Sequence, residues 1–118
     1  VACLAAGQPV EVEEVETLAD SLGGGIGLSN RYTFSMVRDL VDETIVLTEK
    51  EIAEAIAHGY FKEREVLEGA AAVGIGAILS GKFVPKGPTA LVLSGKNIDM
   101  GVHGQIIAGT HTALSEAA

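Results

Sequence analysis

Residues 69–79 read GAAAVGIGAIL, eleven positions with no charged or hydrogen-bonding side chain. Four small residues precede Val73, and Gly74 and Gly76 follow, placed by this reading almost on one face. Glycine inside a helix costs up to about 1 kcal/mol relative to alanine, so two of them imply a close backbone contact. A helix over roughly 69–80 that is apolar all round is a buried helix, and a sheet is its expected neighbour. After the turn at Lys86-Gly87-Pro88, residues 89–94 (TALVLS) form a nearly all-apolar run. Such a run is expected of a strand covered on both faces. Helix and buried strand in alternation predict an α/β layered fold with a parallel sheet.

The flanking segments extend this pattern. Residues 44–47 (TIVL) predict a short β-branched strand. Thr48-x-x-Glu51 is a capping box that opens a helix to about Glu65. Ile52, Ile56 and Tyr60 share one face of it, with Ala53, Ala57 and Phe61 beside them. Its charges, Glu49, Lys50, Glu54, Lys62 and Glu63, fall elsewhere, as on a surface helix with one buried stripe. Ser29 or Asn30 can cap an earlier helix through about Val41. Residues 10–16 (VEVEEVE) predict an exposed strand or extended arm, and residues 1–6 a helix tail stopped by Gly7 and Pro9. The apolar opening, Val1-Ala2-Cys3-Leu4 with no methionine, fits a trimmed start or an internal break.

Composition bounds the function classes. A chain of 118 residues, 47% hydrophobic and 20% charged, suits one small folded domain. The net charge is −8 and the 8 basic residues are scattered. Nothing here would neutralise a row of phosphates, so nucleic acid is excluded as an expected partner. The single cysteine, Cys3, rules out an internal disulfide and fits a reducing cytoplasm. No apolar run approaches a membrane span and no leader pattern is visible, so a cytoplasmic protein is expected.

Several motifs fall short. Gly76-x-x-x-x-Gly81-Lys82 nearly spells a nucleotide P-loop, but Phe83 stands where the metal-binding hydroxyl belongs and Gly76 lies within a helix. The run SLGGGIG at 21–27 misses the dinucleotide pattern because Leu28 replaces its last glycine. By itself the run serves equally as a turn or a ligand loop. His58, His103 and His111 lack ligand spacing, and no metal site is expected. The best local signal is Leu93-Ser94-Gly95-Lys96-Asn97. Ligands collect beyond the carboxyl ends of strands in open α/β sheets, which is where Ser94 would lie. The alternative is that Ser94 and Asn97 merely close a turn.

Four segments in series carry a family resemblance: TLADSLGGGIGLSNRYTF, then RDLVDE with TEKEI, then EGAAAVGIGAIL, then VLSGKNID. Over roughly residues 8–100 the chain resembles the C-terminal third of serine/threonine dehydratases. These are fold-type-II pyridoxal-phosphate (PLP) enzymes, with serine racemase a close relative. LADSLGGGIG is most similar to the hydroxyectoine-utilisation dehydratase branch.

The resemblance implies that Ser94 bonds the pyridine nitrogen of PLP, with Gly95 letting the backbone pass close. It places Glu68 near the ring, although Gly69 stands where relatives commonly have proline. It lays the backbone at Asp20-Ser21 against the ring, and makes Gly23, Gly24 and Gly25 a substrate-side loop. The Schiff-base lysine and the phosphate-binding loop of such enzymes are absent, and Lys96 reads as solvent-facing. No catalytic residue and no cation ligand can therefore be assigned in this chain.

The resemblance further implies a complete enzyme that dehydrates serine- or threonine-type amino acids to a 2-oxo acid and ammonia. That enzyme would be a homodimer, with this chain inactive without the N-terminal remainder. A neutral hydroxyl at Ser94 would not hold the ring protonated as a carboxylate would, which suits elimination. A non-catalytic α/β subunit or interaction module, and an enzyme using the glycine run for phosphate, are the competing readings.

Overall fold

A computed structural model of the chain describes residues 1–115. The chain divides into two units, Val1–Glu16 with Gly23–Thr44, and Thr17–Leu22 with Ile45–Ala118.

In the first unit, α1 (Ala2–Ala6) ends at Gly7, whose φ of 76° is the left-handed cap expected from the sequence. Residues 10–16 carry no regular structure. The second helix, α2 (Thr33–Leu40), starts later than expected, with Tyr32 at its N-cap and no side-chain cap. Asn30 still organises that start. Its Oδ1 accepts from the Phe34 N–H at 2.9 Å and its Nδ2 donates to Thr33 Oγ1 at 2.6 Å. Gly24 and Gly27 both have φ of 83°, a left-handed backbone that other residues would strain.

The second unit holds the core. The helix α3 (Glu49–Phe61) opens on the complete capping box: Thr48 Oγ1 accepts from the Glu51 N–H, and Glu51 Oε2 accepts from the Thr48 N–H. Its buried stripe is Ile52, Ala53, Ala55, Ile56 and Gly59. Tyr60 and Phe61, expected on that stripe, are 41% and 53% exposed. The helix α4 (Gly69–Leu79) follows, buried at Gly69, Ala71, Ala72, Ile75 and Gly76. Its neighbour is α3, not a sheet. A helix absent from the sequence reading, α5 (Met100–Ala108), is capped by Asp99, whose side chain accepts from the Val102 N–H. It packs on α3 through the buried Ile106 and His103.

Two expectations are corrected here. Gly74 and Gly76 do not share a face. Positions two apart on a helix are rotated by about 200°, and a methyl on Gly76 would meet the Leu47 side chain at 2.7 Å and the Glu51 carbonyl at 3.3 Å while one on Gly74 would meet Leu91, at 3.2 Å. The predicted strands, including 44–47 and 89–94, form no β-ladder among the described residues. In place of a strand covered on both faces, Val92 is 82% exposed and Leu93 41%. A strand is defined by hydrogen bonds to a neighbouring strand, and none of the described segments supplies one.

Candidate functional site

The N-terminus of α4 is where the sequence-predicted residues meet. Glu68 is the N-cap residue, yet its carboxylate makes no capping bond. It extends instead across Gly95. Glu68 Oε1 occupies the space where a side chain on residue 95 would begin, with its Cδ 3.2 Å from that point. The Glu68 N–H donates to the Gly95 carbonyl at 3.2 Å. A side chain on residue 95 would displace the Glu68 carboxylate from this position. Ser94, directly before it, is exposed, and its hydroxyl makes no hydrogen bond among the described residues. Lys96 is also exposed.

A third segment reaches the same helix end. The Cα of Gly69 lies against the Leu18 carbonyl, and a methyl there would be 2.8 Å from the Ala19 nitrogen. Ala19 is buried, and the chain then makes a 3₁₀ turn, Asp20–Leu22, that leaves Ser21 exposed. Ser94, Gly95, Glu68 and the backbone leading to Ser21 thus converge on one helix terminus. Gly23, Gly24 and Gly25 belong to the other unit, where Gly24 lies against the Glu14 carboxylate.

The near-P-loop lysine has a structural role. Lys82 Nζ donates to the Val46 carbonyl at 2.9 Å and to Glu51 Oε2 at 2.8 Å, tying the end of α4 to the start of α3. That ammonium, and then the Thr48 N–H, hold the Glu51 carboxyl below its ordinary value. His58 and His111 also have local partners, Glu63 and the Ala113 N–H. His103 is buried beside Tyr60 at a ring distance of 5.4 Å. No group of three His, Cys, Asp or Glu side chains among the described residues is arranged to hold a metal ion.

The sequence reading missed Thr17 and Glu49. Glu49 looks like one of several surface charges, but its Oε2 accepts from the Leu18 N–H at 2.8 Å and its Oε1 accepts from the Thr17 hydroxyl. The partners lie 32 positions apart. No local spacing signals that pairing.

An extended segment ending in an exposed hydroxyl and a glycine thus lies beside the N-terminus of an apolar helix. Residues 1–95 match the family of pyridoxal-phosphate dependent enzymes, and the chain belongs to that family. Its fold class is α/β. The chain is 53% identical, over 98% of its length, to a Sinorhizobium fredii protein provisionally named a threonine dehydratase. It is 37% identical over 91% of its length to an L-threonine ammonia-lyase of Thermotoga maritima, and 37% identical over 72% to serine racemase of Rattus norvegicus. It spans 35%, 26% and 26% of those relatives' own lengths.

The residues present suit PLP. Gly95 adds no side chain of its own to this edge, and the space beside it is taken by the Glu68 carboxylate. The Ser94 hydroxyl can donate or accept a hydrogen bond without carrying charge.

Proposed function

We propose that this chain supplies the pyridine-nitrogen side of a PLP-dependent dehydratase acting on serine- or threonine-type hydroxy amino acids. The observation that carries this reading is the apposition of Ser94-Gly95 and Glu68 within a chain of the PLP family. The remainder of the enzyme supplies the cofactor-bearing lysine and the phosphate loop, and pairs residues 89–94 into a sheet. The working enzyme is a homodimer. The similarity of LADSLGGGIG to the hydroxyectoine-utilisation branch supports placing it there.

Bound PLP supplies the electron sink that makes loss of the α-proton and the β-hydroxyl feasible. Ser94 would hold the pyridine nitrogen of the cofactor by one neutral hydrogen bond, which fixes no proton there. Glu68 would offer its carboxylate beside the cofactor from its place against Gly95. Ser21 contributes its backbone; for the Gly23–Gly25 run the family resemblance alone supports a substrate-side role.

The test is Ser94→Ala in the complete enzyme. One neutral hydrogen bond is worth about 0.5–1.5 kcal/mol, so turnover should fall about two- to tenfold and the visible absorption of bound PLP should shift. An unchanged spectrum and unchanged turnover would reject the assignment. That outcome would favour a non-catalytic module using the same surface for subunit contacts.

A further inference from the structure

The loop Thr17–Leu22 packs with the second unit although the chain on both sides of it belongs to the first. Leu18 and Ala19 press on Gly69, but that contact is backbone against Cα and supplies no direction. The directional bonds come from Glu49, in the first turn of α3. One carboxylate oxygen accepts from the Leu18 N–H at 2.8 Å, and the other accepts from the Thr17 hydroxyl. The Thr17 oxygen in turn accepts from the Ala19 N–H at 3.2 Å. Three consecutive residues are therefore fixed through one carboxylate. Bonds to an ionised acceptor are roughly twice as strong as neutral ones.

We infer that Glu49 and Thr17 form a positioning clamp that sets the Asp20-Ser21 backbone against the N-terminus of α4, beside Glu68 and Ser94-Gly95. The inference rests on the reading that this helix terminus faces the cofactor ring. Neither clamp residue touches the reacting atoms. Their effect is carried by the loop, which has no other polar side-chain partner on α3 or α4 among the described residues.

The chemistry of the pair predicts a graded response. Thr17→Val keeps the shape but removes both the donor to Glu49 and the acceptor for Ala19. Glu49→Ala removes both carboxylate acceptors. Glu49→Gln can still accept from the Leu18 N–H with its oxygen, while its amide donates to the Thr17 hydroxyl, so most of the clamp survives.

The experiment compares these variants in the complete PLP-loaded enzyme, with Lys82→Met as a control. Lys82→Met releases a different tie on the first turn of α3, that between Lys82 and Glu51, and leaves residues 17–19 alone. Thr17→Val and Glu49→Ala should lower kcat/KM about ten- to a hundredfold, the scale of a small misplacement in a site. They should also shift the visible absorption of PLP and speed hydrogen exchange at the Leu18 and Ala19 amides. Glu49→Gln should recover most of all three readouts. If Lys82→Met, compared at equal folded fraction, reproduces the spectral and exchange changes, the effect is general loosening and the clamp is rejected. Unchanged exchange at Leu18 and Ala19 in Thr17→Val also rejects it. Ser94→Ala separates the two ideas. If it shifts the PLP spectrum while Thr17→Val does not, the site reading stands and the clamp falls. If it shifts nothing, the site reading itself falls.

Discussion

The apolar helix α4, packed on the buried stripe of α3, and the apolar run 89–94 fare oppositely. The helix pair buries Ile52, Ile56, Ala71, Ala72 and Ile75 among themselves, with Ile56 and Ala72 wholly enclosed. The run 89–94 leaves Leu91, Val92 and Leu93 exposed, with Val92 at 82%. Hydrophobicity does not separate them. A helix satisfies its backbone within itself and needs only one packed face. An extended segment needs a neighbour on each edge before burial is affordable, because unpaired N–H and C=O groups cannot be taken out of water cheaply. Self-sufficiency of the backbone decides which apolar stretch becomes core in this chain.

The largest effect should come from the tightest point of the self-sufficient region. In the intact protein, Gly69→Ala must push the Leu18 carbonyl and Ala19 away from α4, which should lower stability by about 3 kcal/mol in chemical denaturation. Gly74→Ala meets only the end of the Leu91 side chain, at 3.2 Å. Its gain in helix propensity, up to about 1 kcal/mol, should leave it neutral or stabilised. Equal losses at both sites would mean that α4 is not packed as described.

A smaller effect tests the dependent region. If the remainder of the enzyme pairs and covers 89–94, Val92→Lys should destabilise the intact protein by about 2 kcal/mol. A change below about 0.5 kcal/mol, ordinary for a surface position, would mean that Val92 stays exposed there too.

The smallest effect is a pH dependence within the helix pair. Glu51 is held below the ordinary carboxyl value of 4.5 by Lys82 and the Thr48 N–H. Its contribution to stability is therefore complete above that value and is lost as pH falls from there through the depressed one. Lys82→Met raises the folded-state value back towards the ordinary one. It should lower stability at neutral pH and flatten the acid-side loss in this window, as read by thermal melts between the two values.

Much of the self-sufficient region was legible locally. The capping box Thr48-x-x-Glu51, the Gly7 stop and the apolar helix at 69–79 each announce themselves within a few residues, because helix ends are set by nearby backbone groups. Ser94-Gly95 was singled out by its place at the end of an apolar run and Glu68 through family resemblance; the apposition of Glu68 and Gly95, 27 positions apart, is a tertiary fact. The α5 helix escaped because its Gly101 and Gly104 disguise the helical period behind the Asp99 cap. The face shared by Gly74 and Gly76 was misjudged, since two neighbours on opposite sides of α4 produce the same small-residue signature as one.

The sequence by itself determined the helices α1 to α4 in outline, which stretches are apolar, and to which enzyme family the chain belongs. These follow from short-range hydrogen bonding, side-chain periodicity and motif order. Only the tertiary structure decided that α4 rests on α3, that the 89–94 run has no strand partner among the described residues, and that Glu49 reaches back to Thr17 and Leu18. Each of those depends on which distant segment arrives at a given surface, and no spacing along the chain encodes that arrival.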